Sequence, residues 1–572
     1  MANDIMSDNA RKRIVPGAIT FEEAADSYYV DKTLFIRDVI ERDWQVSVIT
    51  RPRRFGKSLN MEMLKTFFEK TVEDTSRYFR DKKIWACGEE YRTEQGKYPV
   101  IYLNLAGVDD DSWAESYEDI KELIASEFNR HKELLSSKLL TQTDIGRYKK
   151  IVNKKANRAE YRSSLNTLSD MLYKHYEKMP IILIDEYDVP IQSGYDKGYY
   201  DVRDFMSGFL LKGLKYNPDF KFAVLTGVLP VSGSSLSRSL NSFDYYTALS
   251  SRYAEHFGFT RDEVRDMLAY YSAEDKYKEV CEWYDGYMFG DTEVFNPWSV
   301  LNCIRDGFAP DVYWANTGNN LDLGKLLEDV SLEAAVKISD LRDGGTVTAR
   351  IDETVDYSEL MKDSENVFTL LLHYGYLIAT GENTDYLSMY NCASTVKTTD
   401  RYYYLKVPNE EVARVFREEV SGRMIVSENE FDEIWEIIER FDEQEIEDGM
   451  QKFIEDSVTH RDAPYEAFYS GFIRCMCKYK KKEYTVIAEG NSGKGIVDIA
   501  MKPNNPGKPG IVIELERISD DNPDKLKKAA YAGLKQITDQ KYDTVLRVQG
   551  VTDIVKIGMA FSGTSVKAAI SR

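Results

Sequence analysis

The 572-residue sequence predicts an α/β protein in three parts: a parallel-sheet domain, a mainly helical middle domain and a small C-terminal α/β domain. Two observations support this prediction. Short apolar runs alternate with helical stretches before residue 255, and such runs return from residue 484 after a helical, aromatic-rich region. Strands that alternate with helices are typical of a mostly parallel sheet with both faces covered.

The N-terminal domain is predicted at residues 1–255. Its strands are expected where β-branched and apolar residues form runs of strand length, and its helices where apolar residues recur with helical spacing. The strands are predicted near 44–50, 98–105, 180–184 and 221–226, and the helices near 58–68, 115–130, 160–177 and 200–215.

A phosphate-binding loop (P-loop) is predicted at Arg51–Ser58, between the first strand and the first helix. In such a loop Gly56 lets the backbone approach phosphate oxygens, Lys57 reaches the β- and γ-phosphates, and the Ser58 hydroxyl binds Mg²⁺. Arg51 stands where the usual pattern has a glycine. The alternative interpretation is a basic turn that only begins a helix.

Neighbouring residues complete the predicted nucleotide site. Arg53 and Arg54 are expected to neutralise phosphate charge, although one of them could pair with Asp188 instead. Phe55 and Leu59 belong to the same predicted nucleotide-binding set.

Two carboxylates end the third predicted strand. Asp185 and Glu186 follow four aliphatic residues, at the edge where open parallel sheets bind ligands. Asp185 is expected to hold Mg²⁺ through water, and Glu186 to polarise the attacking water. Alone, they could be two exposed strand-end acids. Downstream of a Gly-Lys-Ser loop they predict a P-loop ATPase, with ATP and GTP not distinguished.

Several N-terminal segments resemble the bacterial and archaeal AAA-ATPase-like proteins, whose loop also lacks the first glycine. The resemblance implies a core in which the strand ending at Thr226 lies between the strands of the P-loop and of Asp185. It also implies a γ-phosphate sensor at Thr226, for which a strand-end threonine in a tight turn is the equal alternative. The segments are Tyr29–Thr33, Arg51–Ser58, Asp185–Asp188 and Leu225–Gly227.

The sequence leaves two features of this site open. Tyr29–Lys32 are the candidates for flanking the nucleobase. An arginine finger would come from Arg238, from Arg252 or from another copy of the chain in a homo-oligomer.

The middle domain is predicted at 256–457 and continues the same resemblance. Packing explains its aromatic residues, and no chemistry is assigned to them. The matching segments are Gly258–Thr260, Trp283–Tyr287, Asn296–Ser299, Tyr313–Thr317, Gly375–Leu377 and Pro408–Val412.

The C-terminal domain is predicted at 458–572. Asp498 and Glu514 fall in adjacent strands, so both can bind one divalent cation, which activates water and stabilises a pentavalent phosphate. The strands are expected near 484–488, 496–501, 511–516 and 555–561, a helix at 523–539 and a hairpin loop at 503–509.

This arrangement resembles the PD-(D/E)xK nuclease domain that AAA-ATPase-like proteins carry at their C-terminus. It implies Asp498, Glu514 and Glu516 as the catalytic set, with Asp498 and Glu514 as metal ligands. Gln536 resembles a motif glutamine, with a half-exposed helix residue as the equal alternative. Glu516 departs from the pattern, because it replaces a lysine and puts nuclease activity in doubt.

Other elements could compensate for the missing lysine. Lys494 or Lys527 could bring a cation to the site, and Glu466 a further ligand.

Composition limits the partners. The net charge of −21 opposes loose coating of nucleic acid but not a DNA- or RNA-acting enzyme that binds metal. Six scattered cysteines lack metal-site spacing and are expected to be reduced. No apolar stretch has membrane-spanning length, so a cytoplasmic location without a membrane partner is expected.

The leading functional hypothesis is Mg²⁺-dependent ATP hydrolysis coupled to a nuclease-like domain that acts on nucleic acid; the resemblance points to defence or mobile-element biology. The first alternative is an ATP-driven switch or scaffold whose nuclease-like domain only binds a partner, as Glu516 suggests. The second alternative, a sugar or metabolite kinase, lacks an acceptor-binding signature.

Overall fold

The computed structural model describes residues 11–230, 243–315, 326–327, 330, 332–353, 366–383, 401–421, 428–457, 473, 476–477, 480, 483–492, 495–518 and 521–572. The chain divides into two compact units. The N-terminal unit is Met1–Leu321 with Thr346–Arg417, and the C-terminal unit is Asp322–Gly345 with Glu418–Arg572. The domain boundaries at 255 and 457 stay predictions. Within these described ranges no helix is long and apolar enough to cross a membrane.

A five-stranded parallel sheet forms the centre of the N-terminal unit, in the spatial order β2-β3-β4-β1-β5. The predicted α/β fold is confirmed, and β4 lies between the P-loop strand β1 and β3, as the resemblance implied. The three-residue strand β5 was not predicted. The strands are β1 (Val46–Thr50), β2 (Val100–Asn104), β3 (Ile181–Asp185), β4 (Phe222–Gly227) and β5 (Asp244–Tyr246).

Helices cover this sheet, and burial on both faces explains why its strands are almost continuously apolar. Val48, Ile182 and Leu225 share one core with the helices α6, α7, α9 and α11. The helices are α1 (Phe21–Asp26), α2 (Leu34–Ile40), α3 (Lys57–Phe68), α4 (Lys83–Ala86), α5 (Glu89–Arg92), α6 (Trp113–Arg130), α7 (Gln142–Val152), α8 (Arg158–Arg162), α9 (Ser164–Tyr176), α10 (Val189–Asp196) and α11 (Asp201–Leu210).

The middle of the chain is mainly helical, as predicted, with two small antiparallel sheets that were not predicted. One is a β6-β7 hairpin and the other has the order β8-β10-β9. Their short, half-exposed strands carry too few residues for a sequence pattern to separate them from helix. The helices are α12 (Arg261–Tyr270), α13 (Tyr277–Tyr284), α14 (Pro297–Arg305), α15 (Leu332–Arg342), α16 (Val367–Tyr374) and α17 (Glu410–Ser421); the strands are β6 (Tyr287–Phe289), β7 (Thr292–Val294), β8 (Val347–Ile351), β9 (Ile378–Glu382) and β10 (Arg401–Lys406).

The C-terminal unit contains a mixed sheet in the order β11-β12-β13-β14-β15. The predicted strands, hairpin loop and helix at 523–539 are confirmed, whereas the last strand, β15, was not predicted. Trp435 and Ile454 pack in the core beneath the sheet. The elements are α18 (Glu428–Ile438), α19 (Glu443–Ser457), β11 (Tyr484–Ser492), β12 (Gly495–Pro503), β13 (Gly510–Arg517), α20 (Pro523–Asp539), α21 (Thr544–Arg547), β14 (Ile554–Ser562) and β15 (Ser565–Ser571).

A buried carboxylate joins three segments of the N-terminal unit. Glu411, in the first turn of α17, is fully buried. Its Oε1 accepts hydrogen bonds from the Ser299 hydroxyl (3.1 Å) and from the N–H groups of Tyr313 (2.7 Å) and Trp314 (2.8 Å). Its Oε2 has no hydrogen-bond partner. Burial raises the pKa of Glu411 to about 7.

We expect Glu411 to make the stability of the N-terminal unit depend on pH. The folded chain keeps this proton up to about pH 7, whereas the unfolded chain releases it near its ordinary pKa of 4.5. The free energy of unfolding therefore falls by up to about 3 kcal/mol as pH rises across that interval, and then levels off. Urea unfolding of wild type and Glu411→Gln between pH 5 and 8 tests this. Equal slopes for the two proteins would contradict it.

Candidate functional site

The loop after β1 has the geometry of a phosphate-binding loop. Gly56, the N-cap of α3, has φ = 79°, in the left-handed region where glycine costs little. This backbone conformation of Gly56 allows α3 to begin at Lys57. The Lys57 ammonium donates to the carbonyls of Arg51 and Pro52, each at 3.2 Å, and lies 3.7 Å from a Glu186 oxygen. The Lys57 ammonium thus lies over the backbone of the loop, next to the N-terminus of α3.

Arg51 occupies the position of the first glycine in the usual phosphate-binding loop pattern, and its side chain has a structural role there. Its side chain is 1% exposed, and its guanidinium donates to the carbonyls of Tyr246 (3.0 Å) and Arg252 (3.2 Å) and to that of Thr247. The guanidinium also lies 4.7 Å from the centre of the Phe289 ring. Arg51 therefore fastens the start of the loop to the segment that follows β5, instead of pointing at the phosphate position.

Replacing Arg51 by glycine would restore the usual loop pattern, yet we expect it to destabilise the protein. The carbonyls that Arg51 serves would lose a charged donor, at a cost of about 3 to 5 kcal/mol. Hydrogen exchange should then accelerate at residues 246–252, and the Arg51→Lys variant should recover part of the protection. Unchanged exchange in Arg51→Gly would contradict the expectation.

The other large side chains of the loop contact aromatic residues from later in the N-terminal unit. Phe55 is fully buried and packs edge-on against Tyr287, with ring centres 4.8 Å apart. The Arg54 guanidinium lies 4.2 Å from the ring centre of Trp298, and that of Arg53 lies 6.0 Å from Tyr374. The middle segments thus form one wall of the loop, a role that sequence analysis did not give them.

Asp188 has a different partner from the one considered in the sequence analysis. Its Oδ2 accepts hydrogen bonds from the N–H groups of Val228 (2.9 Å) and Leu229 (2.8 Å), not from Arg53 or Arg54. Burial, followed by the charge of Glu186, raises the pKa of Asp188 to about 6. A Cβ on Gly227 would come within 2.3 Å of Asp188 Oδ1, so a glycine is needed there.

Asp185 is held at the end of β3 by its neighbours. The Thr226 hydroxyl donates to Asp185 Oδ1 (2.5 Å), and the Asn104 amide donates to Oδ2 (3.2 Å). Burial, then the charge of Glu186, raises the pKa of Asp185 to about 6, while a hydrogen bond from Ser58 opposes the rise. The structure therefore brings together Ser58, Asp185 and Thr226. Asn104 was missed, although it ends β2 at the same sheet edge.

Glu186 follows in a strained backbone conformation, with φ = 52°. Such strain in a residue other than glycine persists where the surrounding structure holds it, often at functional sites. Its carboxylate is partly exposed and faces Lys57.

A cavity of about 640 Å³ lies in the N-terminal unit, and its lining includes Ser58 and Glu186 but not Asp185 or Thr226, which are buried. Arg53–Leu59, Asn104 and Glu186 contribute to its wall, as do Tyr29 and Lys32 from the segment predicted to flank a nucleobase. The Lys32 ammonium is already bound by Glu263, at 2.6 Å. Arg252 pairs with Asp43 at 2.6 Å, and Arg238 lies outside the described residues.

The donor set fits a magnesium nucleotide. Burial, and then the charge of the adjacent, partly exposed Glu186, raises the pKa of Asp185, and a divalent cation would relieve the repulsion between the two acids. The Ser58 hydroxyl and Asp185 supply oxygen ligands of the kind that a phosphate-bound Mg²⁺ uses, and the Lys57 ammonium supplies a cationic donor for phosphate oxygens.

A second acidic site lies in the C-terminal unit. β12 and β13 are antiparallel with Ile499 opposite Ile513, so the same register carries Asp498 opposite Glu514 on one face of the sheet. Asp498 Oδ2 accepts a hydrogen bond from the N–H of Leu515 (3.0 Å). The register thus brings the two predicted metal ligands together.

Glu514 is 4% exposed, and only one of its two carboxylate oxygens accepts a hydrogen bond. The Gln536 amide donates to its Oε1 (2.6 Å), so the predicted motif glutamine contacts the site, and its Oε2 is buried without a hydrogen-bond partner. Burial, then the charges of Asp498 and Glu516, raises the pKa of Glu514 to about 8. This orphaned oxygen fits a divalent cation, although the described residues contain no group of three or more possible ligands.

Glu516 lies on the same face, since a Cβ on Gly533 would come within 3.2 Å of Glu516 Cγ and 3.7 Å of Glu514 Cγ. Lys527 does not bring its ammonium to this acidic site, so it does not replace the missing motif lysine. Its ammonium donates to Glu443 (2.8 Å), Glu447 (2.8 Å) and the carbonyl of Ala568 (2.7 Å). Lys494 and Glu466 lie outside the described residues.

Two family models match the chain. One, described as predicted AAA-ATPase, matches residues 18–237, and one of the PD-(D/E)XK nuclease superfamily matches residues 464–569. Among curated proteins, the chain is similar to an uncharacterized protein in the vnfD 5'region of Azotobacter chroococcum mcd 1, with 27% identity over 326 residues. That alignment covers 56% of this chain and 57% of the relative, so the chain spans under two thirds of the relative's length.

Proposed function

Because this chain joins a predicted AAA-ATPase domain to a domain of the PD-(D/E)XK nuclease superfamily, we propose that it hydrolyses ATP with Mg²⁺ and couples hydrolysis to cleavage of nucleic acid. The observation that carries the ATPase half is the cavity where Gly56, Lys57 and Ser58 face Glu186. A helix N-terminus with its lysine on one side and strand-end acids on the other is the arrangement that phosphate transfer to water needs.

Residues in the cavity wall and buried behind it have distinct roles in this proposal. Lys57 exchanges the carbonyls of Arg51 and Pro52 for the β- and γ-phosphates, while Ser58 and Asp185 hold the cation. Thr226 keeps Asp185 in place and senses the γ-phosphate end of the cavity. Glu186 orients the attacking water and accepts its proton at the carboxylate. The bound Mg²⁺-nucleotide supplies the phosphoanhydride bond and the charge that stabilises its cleavage.

Arg53 and Arg54 add positive charge at the loop. Both line the cavity, and the aromatic rings of Tyr374 and Trp298 limit their motion. We assign them the neutralisation of phosphate charge in the ATP complex.

The nuclease half rests on Asp498 and Glu514. These carboxylates, including the orphaned Glu514 Oε2, would hold a divalent cation, which would supply an activated water and charge stabilisation at the phosphodiester. DNA or RNA is the substrate class, in a defence or mobile-element setting. Gln536 positions Glu514 through its hydrogen bond.

The second candidate function is an ATP-driven switch or scaffold, in which the nuclease-like domain binds a partner without cutting. Glu516 favours it, since a third acid beside Asp498 and Glu514 takes the place of the lysine that would steady the transition state.

One assay separates the candidates. Wild-type protein and Glu514→Ala are incubated with single-stranded DNA, double-stranded DNA or RNA, with Mg²⁺ or Mn²⁺, and with or without ATP, while phosphate release is followed in parallel. The proposal expects phosphate release from both proteins and strand cleavage from wild type alone. Phosphate release without cleavage in any condition would leave the switch as the function.

A further inference from the structure

The cavity of the N-terminal unit has two chemically different ends. One end contains the acids Glu62 and Glu186 with Asn104 and Tyr102, and we call it the acid end. The other end, which we call the aromatic end, has apolar and aromatic walls. They are formed by Gly17, Ala18, Tyr28, Phe259, Trp298 and Leu301.

Phosphate chemistry fixes the direction of a nucleotide in this cavity. The bond that breaks must lie between Lys57 and Glu186, because these side chains serve the γ-phosphate and its attacking water. The nucleoside then extends away from Glu186, over the loop and into the aromatic end. This step rests on the ATPase function proposed above.

Trp298, at the aromatic end, is held by contacts with three other parts of the N-terminal unit. Its indole N–H donates to the carbonyl of Tyr313 (3.0 Å). A Cβ on Gly17, which has φ = 76°, would lie 3.1 Å from Trp298 Cζ3, so the backbone of the N-terminal segment packs directly on the ring. The Arg54 guanidinium lies 4.2 Å from the ring centre. Trp298 thus stands between the P-loop and the segment around Gly17, where phosphate and nucleoside meet.

Two basic side chains at this end, Lys32 and His256, already have partners within the protein. Lys32 donates to Glu263 and to the carbonyl of Glu255 (2.7 Å), and His256 Nε2 lies 2.6 Å from Asp38. Recognition of guanine N1–H and N2–H₂ needs an acceptor such as a carboxylate. Among the described lining residues the carboxylates are Glu62 and Glu186, both at the acid end.

We infer that the aromatic end is an adenosine subsite, with Trp298 as the aromatic wall against which the base lies. An apolar pocket with an indole in its wall accommodates the apolar surface of a purine, and its described lining offers guanine no carboxylate. The segment Gly17–Ile19 and helix α14 both contribute to the lining of the subsite. The base site therefore depends on a tryptophan 240 positions beyond the P-loop serine, Ser58.

Calorimetric titration of the full chain with MgADP, MgGDP and inorganic tripolyphosphate tests this inference. For wild type we expect MgADP to bind at least about tenfold more tightly than MgGDP. Trp298→Ala and Trp298→Leu should weaken MgADP about 5- to 100-fold and leave tripolyphosphate within about twofold. Trp298→Leu keeps apolar volume in the wall, so it serves if the alanine variant does not fold.

Trp283→Ala is the matched control. Trp283 lies outside the cavity lining and has an arginine, Arg414, at the same 4.2 Å from its ring centre. It should leave the affinity for MgADP unchanged. Parallel losses of MgADP and tripolyphosphate in the Trp298 variants would overturn the inference, because Trp298 would then act through Arg54. Equal binding of MgADP and MgGDP by wild type would overturn it too. Wild type that binds neither nucleotide nor tripolyphosphate would instead overturn the proposed ATPase.

Discussion

Lys57→Ala should lower the rate of ATP hydrolysis by about 10³-fold. The Lys57 side chain is 3% exposed, and its ammonium lies 3.7 Å from a Glu186 oxygen. Removing it takes away the charge that stabilises the transferring phosphoryl group, where one preorganised donor contributes about 10² to 10³ in rate. Steady-state phosphate release with saturating MgATP measures the effect. Binding of MgADP should weaken as well, because Lys57 also contacts the β-phosphate in the proposed complex.

Two companion variants make this result specific. Lys149→Ala removes an exposed lysine of α7 and should hydrolyse ATP like wild type. Glu186→Gln should bind MgATP but not hydrolyse it, since the amide cannot accept a proton from the attacking water. Hydrolysis by Lys57→Ala at the wild-type rate would mean that the loop after β1 is only a basic turn beginning α3, the alternative that the sequence left open.

Glu514→Ala should abolish metal-dependent cleavage of nucleic acid, with a loss of about 10³-fold, and leave ATP hydrolysis intact. The substitution removes the buried carboxylate whose Oε2 has no protein partner, and with it one of the two metal ligands. Gel assays on labelled DNA and RNA with Mn²⁺ measure the loss. Glu455→Ala, which removes an exposed acid of α19, is the control and should cut like wild type.

If the wild-type protein does not cleave nucleic acid, the Glu516→Lys variant shows whether Glu516 is the cause. Glu516→Lys places a cation beside Asp498 and Glu514, as the superfamily pattern has it, and should raise cleavage if the metal site is otherwise complete. Inactive wild type with an active Glu516→Lys variant would favour the switch or scaffold. Cleavage by wild type that Glu514→Ala does not reduce would show that another site cuts.

The elements that could be predicted from the sequence are those that depend on neighbouring residues. A β-branched run, a Gly-Lys-Ser turn and a helical repeat predicted β1, the loop and α3, because these signals act within a few residues. Four aliphatics before Asp185 predicted β3 in the same way. The place of β4 between β1 and β3 came from the resemblance and was confirmed. The antiparallel β12 and β13, with Asp498 and Glu514 in them, were also predictable.

How these elements combine into sites depends on contacts between residues that are far apart in the chain. Arg51 binds carbonyls nearly 200 positions away, Trp298 reaches Arg54 from α14, and Gln536 reaches Glu514 from the next helix. β5 and β15 are stabilised by hydrogen bonds to a neighbouring strand, β1 and β14 respectively. Their own short sequences carry no pattern that predicts this pairing. Such contacts depend on which segments, far apart in the chain, pack against each other. A single sequence carries no local pattern that predicts this packing. For this reason the sequence identified the P-loop, whereas the structure showed that Arg51 holds it in place.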